Sequence, residues 1–190
     1  MYHVKDDKRA LVSAQMIYEG LMECLRTKKI EEITVKELVN ASGVGRATFY
    51  RNFDSPIDVL HMKCDKCFEE VLSGYLAQYN KEQSGRSSLL DYFFSYWMER
   101  SDLLEALAAA NRMDIITQCH FNHSDIITSF FKPDMDMDSE DYIYFMSLRT
   151  GIATAMLSAW VRTGKTKTAQ ELSELLIRLG HSSFGGDIII

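Results

Sequence analysis

Apolar residues recur at intervals of three and four along almost the whole chain, and only two prolines, Pro56 and Pro133, interrupt them. That spacing places side chains on one face of a helix, whereas a half-buried strand needs strict alternation, which is scarce here. The pattern predicts an all-α chain of about nine helices, with an N-terminal three-helix head and a C-terminal helical body. The expected division is 1–55 for the head and 56–190 for the body.

The first helix is expected from about Lys5 to Lys28, with Leu11, Ala14, Ile17, Tyr18, Leu21, Met22 and Leu25 on its apolar face and Lys28 and Lys29 at the negative end of its dipole. "TVKE" at Thr34 is a capping box that opens a second helix, and Gly43 stops it. A third helix spans about Gly45 to Asn52. Ser55-Pro56 reads as cap and first turn of a long fourth helix reaching about Lys81. "EQSGRSS" reads as a loop, "SLLD" at Ser88 as another cap before "YFFSYWMER", and Ser101-Asp102 as a restart. A further helix is expected to reach Phe131, followed by a break at "KPDMDMDS" and a long helix from Ser139 to Arg162. "TAQE" at Thr168 caps a last helix ending near Gly180.

A chain of 190 residues fits one domain, or one with a small module attached, and can bury about 70% of its unfolded surface. No apolar run nears the ~20 residues of a membrane span, and the N-terminal "MYHVKDDKRA" lacks the apolar stretch of a secretory signal. The expected location is therefore the cytoplasm, with Cys24, Cys64, Cys67 and Cys119 as thiols. Lys and Arg balance Asp and Glu over residues 1–60, nine each, so the net charge of −6 falls on residues 61–190. Affinity for nucleic acid depends on a local basic face, which the neutral N-terminal part can carry.

"SGVGRATFYRNF", Ser42 to Phe53, is where chemistry concentrates. A dinucleotide-binding glycine loop would need a preceding strand and a parallel sheet, and a capped helix precedes it instead. The stretch from Thr34 to Phe53 has the layout of a helix-turn-helix. Val35, Leu38, Val39, Val44, Phe49 and Phe53 can form its small core, leaving Gly45, Arg46, Thr48, Tyr50, Arg51 and Asn52 outward or at the rim. Arginine forks onto guanine, and Thr, Tyr and Asn bond phosphates or bases. A solvated structural turn is the other reading of the same spacing.

"ITVKELVNASGVGRATFYRNFDSPIDVL", Ile33 to Leu60, resembles the DNA-binding region of the TetR family of transcriptional regulators. Thr34, Val35, Leu38, Ala41, Gly43, Val44, Thr48, Phe49, Tyr50, Phe53, Ser55 and Leu60 fall on that family's pattern. "GIATAMLSAWVRTGKTKTAQELSELLIRL" resembles the last helix pair of many members. The resemblance implies a homodimer on a double-stranded, near-palindromic operator, acting as a repressor released by a small-molecule effector and lying on the nucleoid when bound. It implies that Lys36 reaches a base or phosphate, Arg46 a base, and Thr48 and Tyr50 phosphates; Asn52 stands where His or Tyr is usual, and Thr34, Ala47, Arg51 and Ser55 complete the contact set with Gly45. Gly45, Ala47 and Pro56 depart from the common serine, glycine and lysine.

Gly151, Ala155 and Ala159 form a stripe of small residues, and Leu172, Leu175, Leu176 and Leu179 a leucine face. Both are expected at the dimer interface, the other reading being core within one chain. Phe93, Phe94, Trp97, Met98, Met113, Ile116, His120, Tyr144 and Leu148 are the candidates for an effector pocket, with plain core as the bland alternative. His61, Cys64 and Cys67 lie three apart on the fourth helix, and "CHFNH" adds Cys119, His120 and His123. Six residues sweep about 600°, so His61 and Cys67 diverge, and no metal or cofactor is expected. Asp134, Asp136 and Asp138 lack the glycine and glutamate of a calcium loop. No catalytic motif is present, so an enzyme is not expected. Two alternatives keep the same fold: a protein-interaction module or coactivator, and a Cys/His metal or redox sensor.

Overall fold

A computed structural model describes residues 1–79, 89–123 and 138–180. Within them the chain is all-α: α1 (Lys8–Leu25), α2 (Val35–Ser42), α3 (Arg46–Asn52), α4 (Pro56–Tyr79), α5 (Leu89–Met98), α6 (Ser101–Ala109), α7 (Asp114–Asn122), α8 (Ser139–Arg162) and α9 (Ala169–Gly180). A 3-10 turn at Ile30–Glu32 precedes α2, and the extended structure among the described residues is one isolated bridge between Tyr2 and Phe53. The expected loop at 82–88, the cap at Ser88, the run to Phe131, Asp134 and Asp136 lie outside the described residues.

Side-chain caps set most of the helix starts. Asp7 accepts from the backbone N–H groups of Arg9 and Ala10 at 3.0 and 2.9 Å, so α1 begins at Lys8 and not at Lys5. It ends at Leu25, where the N–H groups of Arg26, Thr27 and Lys28 turn back onto the carbonyls of Glu23 and Cys24. Lys28 therefore lies beyond the helix and pairs with Glu37 of α2. Both capping boxes expected here form: Thr34 with Glu37 opens α2, and Thr168 with Glu171 opens α9. Asp58 accepts from the backbone of Asp54 and Ser55 and from the Ser55 hydroxyl, closing the start of α4. Asp138 caps α8 through Glu140 and Asp141, which gives that aspartate a structural task.

The described residues form two compact units. The first holds residues 1–68 and 105–119, with α1, α2 and α3 packed on one another. Ala14, Ile17 and Leu21 of α1, Leu38 of α2, Phe49 and Phe53 meet no solvent and make its core, together with Val59, Leu60, Cys64 and Cys67. The second holds residues 69–104 and those from His120 onward, with α5 packed against α8 and α9. Phe94, Trp97, Leu103, Leu104, Tyr142 and Leu157 are among its fully buried side chains. The indole N–H of Trp160 donates to the Lys167 carbonyl at 2.8 Å and fixes the α8–α9 turn. Among the described residues no helix is long and apolar enough to cross a membrane.

Candidate nucleic-acid interface

The α2–α3 pair is built from its turn. Gly43 has φ +67°, the left-handed conformation that a glycine adopts without a Cβ clash, and it ends α2. The Ser42 hydroxyl donates to the Val39 carbonyl and accepts from the Val44 N–H, which holds the turn from inside. α3 starts at Gly45, whose carbonyl receives the N–H groups of Thr48 and Phe49. Phe49 and Phe53, four apart, then anchor α3 in the core with ring centroids 5.9 Å apart.

The face opposite those anchors is open and basic. Thr34, Lys36, Gly45, Arg46, Ala47, Tyr50 and Arg51 are exposed, and Thr48 and Ser55 are half-buried. The Arg46 guanidinium lies over the Tyr50 ring, 5.7 Å from its centroid. Among the described residues, Lys36, Arg46 and Arg51 have no carboxylate partner, whereas Arg26, Lys28, Arg100 and Arg112 each pair with one. Three cations on one helix pair are thus left to solvent.

Asn52 departs from the expected outward position. It is 2% exposed, its amide donates to the Thr48 carbonyl at 2.8 Å, and its own carbonyl accepts from the His3 N–H at 2.7 Å. The reason is register: Asn52 falls three residues after Phe49 and next to Phe53, on the inward face, and its short amide closes the end of the helix. The N-terminal segment that meets it was not readable from helical periodicity. Tyr2 bridges Phe53, and its hydroxyl donates to Asp65 at 2.8 Å. His3 lies 3.1 Å from the Asp54 carboxylate.

The candidate thiols and imidazoles are mostly internal. Cys64 and Cys67 meet no solvent and Cys119 almost none, and burial pushes the Cys64 and Cys119 thiols far up, keeping them protonated. His61 faces the Arg112 guanidinium at 3.3 Å, and burial and that charge lower its pKa. His120 is 4% exposed, and burial, with His123 nearby, pushes it down to about 4. Among the described residues no three His, Cys, Asp or Glu side chains are grouped to hold a metal ion.

The pocket and interface candidates divide between units. Met113 and Ile116 belong to the first unit, where Ile116 is core. In the second, Phe93 lies 6.0 Å from Phe94 and 6.2 Å from Trp97 by ring centroid, beside half-buried Met98. Tyr144 and Leu148 are 67% and 45% exposed and line no interior surface among the described residues. The inward face of α8 runs instead through Tyr142, Met146, Thr150, Ala153 and Leu157, one helix side away. Tyr144 and Leu148 continue outward into half-buried Gly151 and exposed Ala155 and Ala159, with Ile143 alongside. On α9, Leu172 is buried in its own unit, Leu175 and Leu176 are half-buried, and Ile177 and Leu179 are exposed.

No protein-family model matches the chain, and no curated protein matches it. Among solved structures, that of Lin0861 from Listeria innocua superimposes with a TM-score of 0.75 at 16% identity, covering 94% of each chain. At that identity the likeness is one of fold.

Proposed function

We propose that this chain is a TetR-type transcriptional regulator of the cytoplasm, a homodimer that represses by binding a near-palindromic operator and is released by a small-molecule effector. The observation that carries this is the open face of α3. Arg46 and Arg51 stand exposed beside Tyr50, without carboxylate partners among the described residues, on the second helix of a capped helix pair whose other side is anchored by Phe49 and Phe53. Unpaired arginines on a short rigid helix fit the major groove, where a guanidinium reads guanine or neutralises phosphate. Lys36, at the start of α2, adds a third positive charge to the same pair of helices.

The exposed apolar side of α8 and α9 supports the second half of the proposal. Ile143, Tyr144, Leu148, Ile177 and Leu179 are large, apolar and open to solvent. Gly151, Ala155 and Ala159 continue that side with little side-chain bulk, and a Cβ built on Gly151 meets nothing within 4 Å. A second copy docking there would carry a second α3, and two recognition helices about one DNA turn (~34 Å) apart read a twofold site.

Binding to a generic duplex tests the electrostatic part. Fluorescence anisotropy should give a binding constant whose logarithm falls linearly with the logarithm of salt concentration. The variant carrying Lys36→Ala, Arg46→Ala and Arg51→Ala should lose that binding. A wild-type protein that ignores duplex DNA at low salt refutes the proposal.

A further inference from the structure

The second unit contains a cation that no carboxylate among the described residues neutralises. Arg149 lies half-buried on α8, and among the described residues it has no ion pair and no hydrogen bond. It makes a cation–π contact, the guanidinium carbon 5.4 Å from the centroid of the Phe145 ring. Stacking of that kind holds the planar fork in place and leaves its N–H edges unused. Taking a guanidinium partly out of water without an anion is costly, and an anion bound there would offset that cost.

A second observation points the same way. Tyr142, seven residues earlier and therefore on the same side of α8, has no solvent exposure, and its hydroxyl has no hydrogen-bond partner among the described residues. Trp97 on α5, the helix that packs against α8, has a buried indole N–H in the same condition, and so does the Thr154 hydroxyl. Buried polar groups are almost always satisfied, and each exception calls for a cause. Tyr142 and Tyr75 lie within electrostatic range of Arg149, and the Tyr75 ring meets the Tyr92 ring at 5.9 Å. An indole and a guanidinium only donate, and a phenol donates to any acceptor in reach. The partner that suits Arg149 and Tyr142 is an acceptor with a negative charge, and Phe145 and Tyr75 near Arg149 suit an apolar body.

We infer that Arg149 and Tyr142 form the anchor for the carboxylate of the effector, so that the effector is an organic monoanion with an aromatic or aliphatic body. The inference rests on the effector-responsive reading above and adds its ligand class. A planar carboxylate matches the two parallel N–H groups of the guanidinium fork, while one arginine is too little charge for a phosphate dianion. Such a ligand would neutralise Arg149 and satisfy the Tyr142 hydroxyl in one step.

The test is isothermal titration of the full chain with benzoate, 4-phenylbutyrate and decanoate, each paired with its primary amide. At least one carboxylate should bind about tenfold or more tightly than its amide, because a charge-assisted pair to the fork is lost in the neutral compound. Arg149→Met should bring that carboxylate down to the level of the amide, and Arg149→Lys, which keeps the charge and the fold but not the fork, should lose about tenfold. Tyr142→Phe should weaken the carboxylate severalfold and leave the amide unchanged. The inference is overturned by three results: carboxylates no better than amides, Arg149→Met binding as wild type, or Arg149→Met abolishing the dimer while sparing carboxylate binding, which would assign Arg149 to the subunit interface. Duplex binding measured without ligand separates this from the regulator proposal. DNA retained without carboxylate selectivity defeats the ligand class alone, and carboxylate selectivity without DNA binding defeats the regulator alone.

Discussion

The guanidinium of Arg46 lies over the Tyr50 ring, its carbon 5.7 Å from the ring centroid, on the exposed side of α3. The contact holds the arginine beside the exposed ring, and no carboxylate among the described residues pairs with it. If Arg46 reads a base, Arg46→Ala costs about 1–3 kcal/mol of binding and relaxes preference at one position of the site. Lys36→Ala should instead weaken all duplexes alike and lower the salt slope by about 1. Anisotropy titrations over a range of salt, on specific and mismatched duplexes, distinguish the two patterns.

Gly20 of α1 lies directly against Ser42 of α2. A Cβ placed there would stand 2.7 Å from the Ser42 backbone nitrogen and 2.9 Å from its Cα. Ser42 is the last residue before the left-handed turn at Gly43, so pushing it away tilts the start of α3 as well. Gly20→Ala should destabilise the protein by about 1–3 kcal/mol, the usual cost of overpacking, despite the better helix propensity of alanine. Denaturant unfolding measures the loss, and DNA binding should weaken with it.

Helix starts were legible because each cap is a local event: Thr34 with Glu37 and Thr168 with Glu171 lie three residues apart and need nothing from the rest of the chain. The inward positions of Phe49 and Phe53 were legible for a similar reason, since α3 has a single apolar side. Asn52 was not, because a polar residue on that side becomes internal only when its amide finds Thr48 and the N-terminal segment covers it. α8 is apolar on two sides. Periodicity there cannot tell Tyr142, which is buried, from Tyr144, which is exposed. Lys28 was read as a dipole partner of α1, but the helix ends before it, and Glu37 takes it up across the turn. Tertiary partners of this kind leave no mark in the spacing of a sequence.

His120 provides a titration that can be checked. Its imidazole is held down at about 4 by burial, helped by His123, against an ordinary 6.5. A base with a depressed folded pKa stays neutral in the native state while the unfolded chain takes up a proton. Its contribution to stability is full above about 6.5 and is lost as pH falls toward 4. Unfolding followed across that window should show wild type losing stability more steeply than His120→Gln, with the two curves parallel above pH 7.

The apolar outer side of α8 predicts an oligomer. Tyr144 and Leu148 lie four residues apart and are largely open in the single chain. Replacing both with glutamate should leave helical content unchanged, since neither is core, and shift sedimentation from dimer to monomer. A like charge on each copy opposes the contact. Specific DNA affinity should fall far more than affinity for a single half-site.

Selection from random genomic fragments tests the regulator reading most directly. Purified protein is mixed with the fragments at low salt, and the retained DNA is sequenced. An enriched near-palindrome, with half-sites about one helical turn (10–10.5 base pairs) apart and lost with Arg46→Ala, is the expected result. A retained pool with no enriched sequence, or no retained DNA, would contradict it.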